Sequence, residues 1–111
     1  MTVIFGGLNS VWMIVLFDLP TDSDQARREY AVFRKRLLNS GFTMMQYSVY
    51  SRHCASYENA KVHADRVKAN LPPEGEVRIV TLTDKQFGRI EVFYGKKGKP
   101  PEKPPTQLTL F

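Results

Sequence analysis

Six consecutive large apolar residues, Trp12 to Phe17, lead into Asp18-Leu19-Pro20. The run is too short to span a membrane and is rich in Val, Ile and aromatic residues. It predicts a strand buried on both faces near the middle of a sheet. Pro20 cannot donate to a sheet ladder and biases Leu19 toward extended geometry, so the strand ends there. Asp18 is then displayed at the strand's carboxyl end, where such proteins often place working groups. After the helix-start cluster Thr21-Asp22-Ser23-Asp24, residues Ala26, Tyr30, Phe33 and Leu37 recur at helical spacing and predict an amphipathic helix ending at Asn39-Ser40-Gly41.

Residues 42–52 are aromatic and β-branched with partial alternation, which predicts one long strand or two short ones with a bend near Met45 and Gln46. His53-Cys54-Ala55 reads as a turn. Ser56 caps a second helix with the stripe Ala60, Ala64, Val67 and Leu71, closed by Pro72-Pro73. Residues 76–83 alternate, with Val77, Ile79 and Thr81 on the inner side, and predict a half-buried strand. Residues 84–88 read as a turn or a single helical turn, and residues 89–94 as a last short strand. The order is βαββαβ, with an extra C-terminal strand and a tail. Two split βαβ units of this kind form an α+β domain: an antiparallel sheet with both helices on one face. The other face is left bare and is expected to carry Tyr and Phe. A second copy packed face to face is the simplest cover, so a homodimer is expected.

The pattern divides the chain into an N-terminal extension at residues 1–11, a domain at 12–94, a basic linker at 95–106 and an apolar docking tail at 107–111. The linker sequence GKKGKPPEKPP holds four lysines, four prolines and two glycines, and so has no core of its own. Gln107, Leu108, Leu110 and Phe111 in the tail are expected to dock on a partner or on the domain.

Charge changes the picture more than length does. The 111 residues carry 16 Lys plus Arg against 11 Asp plus Glu, a net charge of +5. A small basic domain points first to nucleic acid. The densest cluster is Arg27, Arg28, Arg34, Lys35 and Arg36 on the first helix, followed by Arg52, Arg78 and the tail lysines. One cysteine, Cys54, excludes an internal disulfide framework and fits a reducing cytoplasm. With no leader pattern and no membrane-spanning run, a cytoplasmic protein without membrane contact is expected.

Catalytic candidates are few. His53 and Cys54 are chain neighbours on extended backbone and point to opposite sides, which excludes a nucleophile pair. His63 lies beside the apolar stripe of the second helix and reads as structural or exposed. Asp22 and Asp24 are explained as helix-start residues. Asp18 remains. One carboxylate is a poor site for a hard metal, but a two-fold dimer that pairs two copies of Asp18 supplies two, enough with waters for Mg²⁺ or another divalent cation. On a basic surface that predicts phosphodiester hydrolysis.

The segments WMIVLFDLPT, RREYAVFRKRLLNSGFTMMQYSVYSRHC and LPPEGEVRIVTLTDKQF resemble the CRISPR-associated protein Two family, the small subunit of the spacer-acquisition machinery, in its type II-like form. The resemblance runs from about Trp12 to Tyr94. It implies a ferredoxin-like fold and a homodimer held between two dimers of the CRISPR integrase. In that assembly it implies a basic surface that grips double-stranded prespacer DNA through phosphates, and Cas9 as a further member of the acquisition complex. It also implies a metal-dependent endonuclease activity on RNA or DNA, with Asp18 as the metal and catalytic position and Arg27 and Tyr50 as its neighbours. The tail QLTLF is similar to the QLxLF peptide that binds the bacterial sliding clamp. A ferredoxin-like RNA-recognition module is a third reading, ranked below these because the aromatic-glycine signature that stacks bases is missing.

Overall fold

The computed structural model describes residues 10–99, and its central element is the apolar run. Strand β1 (Val11–Asp18) has β3 (Val49–Cys54) on one side and β4 (Glu76–Thr83) on the other. With β2 (Thr43–Gln46) beyond β3, the sheet order is β2-β3-β1-β4, antiparallel throughout. Helices α1 (Asp24–Asn39) and α2 (Tyr57–Ala69) cross over between these strands. The chain therefore adopts the ferredoxin-like split βαβ arrangement. A short third helix, α3 (Asp84–Gly88), follows β4.

Alternation along β1 settles the layers. Val11, Met13, Val15 and Phe17 are buried against the helices with Phe33, Leu37, Tyr50, Cys54, Ala60 and Val67. The even-numbered residues Trp12, Ile14, Leu16 and Asp18 face the other way, because successive strand side chains alternate sides. Ile14 is also nearly buried, but Trp12 and Leu16 are only half-buried and Asp18 is exposed, so the central strand, expected to be buried on both faces, is fully covered on the helix side alone.

The helix ends follow local chemistry. The Ser23 and Ser56 hydroxyls each accept a backbone N–H, from Ala26 and Asn59, at 3.0 Å. Gly41 has φ +87° and lets the Phe42 N–H return to the Leu37 carbonyl at 3.0 Å, closing α1. Thr83 and Gln86 form a reciprocal capping box at the start of α3.

Of the two readings of residues 42–52, the structure takes the two short strands: they form a hairpin turning at Tyr47-Ser48, with Ser48 at φ 63°, and the irregularity lies between Met44 and Gln46, at the expected bend. Other expectations are corrected. His53 and Cys54 belong to β3 and not to a turn. Leu71 lies beyond the end of α2 and is exposed, while His63 takes an inner position. The last strand expected at residues 89–94 takes no regular structure. There Val92, Phe93 and Tyr94 are exposed, and among the described residues neither free edge of the sheet, β2 or β4, pairs with this segment.

The bare sheet face also differs from expectation. Its rows are Trp12-Ile14-Leu16-Asp18, Val49-Ser51-His53 and Glu76-Arg78-Val80-Leu82, which is aliphatic and charged with a single large aromatic. Tyr50 and Phe17 point to the helix side. Trp12 is itself capped, because Phe87 of α3 stacks on it at 4.0 Å between ring centroids. The domain begins at Val11, one residue before the expected boundary. Residues 1–9 and 100–111, which include the linker's proline-rich half and the docking tail, lie outside the described residues.

Candidate metal site and cationic surface

Asp18 is the exposed last residue of β1. Phe17 before it is buried among aromatic rings, and strand alternation therefore turns Asp18 onto the open face. Directly across the ladder stands Glu76, the first residue of β4. Cross-strand partners share a face, so each chain presents two carboxylates side by side there. Like charges in that position repel, and the Arg78 guanidinium relieves this by donating to Glu76 Oε1 at 3.0 Å. Leu16, Phe17, Asp18, Glu76 and Arg78 line one shallow depression.

Glu76 was not singled out by sequence reading. Its signal is the β1–β4 register, a contact across 58 positions of chain that no local pattern encodes. Hard oxygen donors of this kind suit Mg²⁺, which typically takes one or two carboxylates and fills its sphere with water and phosphate oxygens. Among the described residues no group of three or more His, Cys, Asp or Glu side chains is placed to hold a metal ion. The two carboxylates of one chain therefore fall short of a full cage.

The other named residues are spread over different parts of the molecule. Arg27, Arg28, Arg34, Lys35 and Arg36 are all exposed on α1. Arg27 folds back on the turn after β1, donating to the Thr21 carbonyl at 3.0 Å and pairing with Asp24. Arg27 and Arg34 are seven residues apart, as are Arg28 and Lys35, so two cationic rows run along the outer sides of the helix. Arg36 turns instead toward α2, with Nη1 3.5 Å from the Asn70 carbonyl. Arg52 stands apart on the helix side of the sheet, donating to the Ser40 carbonyl at 3.0 Å and thereby capping α1. Tyr50 is fully buried and lies on the opposite face of the sheet from Asp18. Gln107, Leu108, Leu110 and Phe111 lie outside the described residues.

The remaining titratable groups are not arranged for catalysis. Burial pushes the Cys54 thiol up, away from its nucleophilic form. His53 lies on the opposite face, 3.7 Å from Asp84 and edge-on to Trp12. Burial, and then the charges of Arg52 and Arg66, push His63 below its ordinary value of 6.5. The unfolded chain thus takes up this proton at a higher pH than the folded chain does. Stability from this group is complete above pH 6.5 and is lost as pH falls, until the folded protein also binds the proton. The loss reaches at most about 1.4 kcal/mol per pH unit. Urea unfolding of wild type and His63→Gln at several pH values between neutral and mildly acidic measures it. The gap between the two proteins narrows as pH falls, and a gap independent of pH contradicts the assignment.

Fold and site together define a ferredoxin-like domain with carboxylates at one strand tip and guanidinium groups along a neighbouring helix. The profile of the family described as CRISPR associated protein Cas2 matches residues 11–90, and the chain belongs to that family. A protein of Parvibaculum lavamentivorans named CRISPR-associated endoribonuclease Cas2 is 62% identical over 101 residues, covering 91% of this chain and 100% of that one. Its namesake from Flavobacterium psychrophilum is 50% identical over 102 residues, covering 92% of this chain and 89% of that one. A solved structure described as a crystal structure of cas2 superposes with a TM-score of 0.54 at 19% identity, covering 85% of this chain and 99% of that one, and shows the shared fold. No helix among the described residues is long and apolar enough to cross a membrane.

Proposed function

We propose that this protein is a homodimeric adaptor of CRISPR adaptation that grips double-stranded prespacer DNA and bridges integrase dimers. The observation that carries the reading is the outer surface of α1. Arg28, Arg34 and Lys35 are exposed there, and none forms an ion pair with a carboxylate among the described residues. Cations spaced along a rigid helix suit a phosphate backbone and carry no base readout. The open sheet face supports the dimer. Val80 is 41% exposed there beside Ile14, Leu16 and Leu82, an apolar surface that a second copy would cover. Exposed Val92, Phe93 and Tyr94 add to the surface available to a second copy or to the integrase. Cas9 joins the same assembly in this reading.

A second reading, metal-dependent endonuclease activity, is favoured by Asp18 and Glu76 facing each other on that open face. The two relatives described above are named endoribonucleases. Face-to-face packing would bring the two carboxylates of one chain toward those of the other. Asp18 and Glu76 would then hold a Mg²⁺ ion, which when bound neutralises charge on a phosphodiester. Arg78 restrains the Glu76 carboxylate, and Phe17 fixes the backbone that aims Asp18.

Duplex binding followed by anisotropy at several salt concentrations tests the adaptor. Affinity falls steeply with salt and ignores sequence. Replacing Arg28, Arg34 and Lys35 together with Gln lowers the log–log salt slope by about 0.9 for each phosphate no longer neutralised, so by about 2 to 3. An unchanged slope removes the helix from the interface. In the same samples Asp18→Asn leaves duplex binding intact while abolishing any cleavage that a chelator also abolishes. Cleavage that survives Asp18→Asn rules out the metal-site reading.

A further inference from the structure

The C-terminal ends of α1 and α2 converge on a shallow, solvent-open groove. Arg36 comes from the last turn of α1 and Arg66 from the last turn of α2, with Asn39, Ser40 and Asn70 as further polar lining above Phe33. Arg52 of β3 is not part of this lining but lies beside it, donating to the carbonyl of the lining residue Ser40 at 3.0 Å. Among the described residues none of these three guanidinium groups forms an ion pair with a carboxylate. Asp65 on α2 is engaged by Lys61 and Lys68.

The helix ends account for part of this charge. Arg36 reaches the Asn70 carbonyl, and each helix C-terminus carries about half a negative charge. Two termini thus offset about one of the three positive charges and leave roughly two. Two buried nitrogens in this neighbourhood, Arg52 Nε and His63 Nδ1, have no hydrogen-bond partner among the described residues. His63 is 6% exposed, sits one turn before Arg66 and Val67 on α2, and feels the charges of Arg52 and Arg66. Excess positive charge with amide and hydroxyl groups around it fits a compact dianion, and guanidinium forks match the oxygens of phosphate.

We propose that this groove binds a phosphate group, held by Arg36 and Arg66 with Asn39, Ser40 and Asn70 around it. The groove lies where the two helices end, apart from the Asp18 edge of the sheet. The proposal stands whether or not the outer surface of α1 binds duplex DNA. The phosphate belongs either to a small molecule or to a nucleic-acid strand.

The test follows the histidine resonances of the full-length protein by NMR across a pH titration. Samples contain chloride, inorganic phosphate, a nucleoside monophosphate or duplex DNA at matched ionic strength. A bound dianion offsets the Arg52 and Arg66 charges, so the midpoint of His63 rises relative to chloride. A rise with the small phosphates identifies the group itself as the ligand, and a rise with duplex alone identifies a strand as its source. Arg36→Gln and Arg66→Gln each weaken the binding about tenfold, as expected when one charge-assisted hydrogen bond is removed. Both side chains are exposed, so the fold tolerates their replacement. A His63 midpoint that no phosphate compound moves, or that moves equally in the double substitution, overturns the proposal.

Discussion

Gly75→Ala destabilises this protein by about 3 kcal/mol or more, because strain and overpacking act together. Gly75 has φ +103°, a conformation that side chains beyond hydrogen rarely adopt. An added Cβ would stand 2.6 Å from Leu19 Cδ2, 2.7 Å from the Asp18 carbonyl oxygen and 3.0 Å from Leu19 Cα. The side-chain methyl can yield, but the two backbone atoms belong to the end of the central strand and cannot move without it. The same substitution therefore displaces Asp18, and any metal-dependent cleavage falls with stability. Gly88→Ala is the control, since among the described residues none beyond its chain neighbours and its own helix backbone lies within 4 Å of its Cβ position, and it changes stability by no more than about 0.5 kcal/mol. Guanidinium unfolding curves of the three proteins decide the matter. A Gly75→Ala midpoint equal to wild type contradicts the backbone contact.

Phe17→Ala costs about 3 to 5 kcal/mol, a large share of the roughly 5 to 15 kcal/mol typical of a whole domain. Phe17 is buried at the centre of an aromatic group, with ring centroids 5.1 Å from Phe33, 5.6 Å from Tyr30 and 5.7 Å from Tyr50. Its contact with Phe33 is edge-on, a favoured geometry that adds to burial. Truncation leaves a cavity that three rings on two different elements cannot close together. Phe17→Leu keeps most of the volume and costs about 1.5 kcal/mol or less. Equilibrium denaturation separates the two variants, and an Ala variant within about 1 kcal/mol of wild type would show that the rings repack. Because Phe17 turns Asp18 outward, this core residue also holds the candidate metal position in place.

Much of this was legible along the chain, for a local reason. Ser23 and Ser56 cap helices through hydrogen bonds that span three residues. Pro20 ends a strand by lacking one donor. Gly41 closes a helix through its own backbone angle. The stripe Tyr30, Phe33 and Leu37 is a periodicity of the same helix. The order βαββαβ and the central place of the Trp12 to Phe17 run follow from such patterns. Residues 89–94 misled because Ile90, Val92, Phe93 and Tyr94 have strand-like side chains. Propensity describes a fit to a pleated surface but does not bring the segment to an edge.

The candidate site divides the same way. Asp18 stands out in the sequence as one acid at the end of a buried strand. Its partner Glu76 does not, and only the register of β1 against β4 places the two side by side. Arg52 and Tyr50 show the converse. One reads as a surface cation and the other as a site neighbour, yet the parity of β3 sends both to the helix side of the sheet. Arg36, indistinguishable in sequence from Arg34, turns to α2 because its angular position on α1 faces the other helix.

By itself, then, the sequence determined the elements, their order, their caps and the basic character of the first helix. Each depends on residues within a turn or a strand of one another. The tertiary structure decided which charges meet. It set Asp18 opposite Glu76, buried Tyr50 away from both and gathered Arg36, Arg52 and Arg66 at two helix ends. Those outcomes rest on strand register, side-chain parity and helix convergence, which join residues far apart in the chain and leave no local pattern.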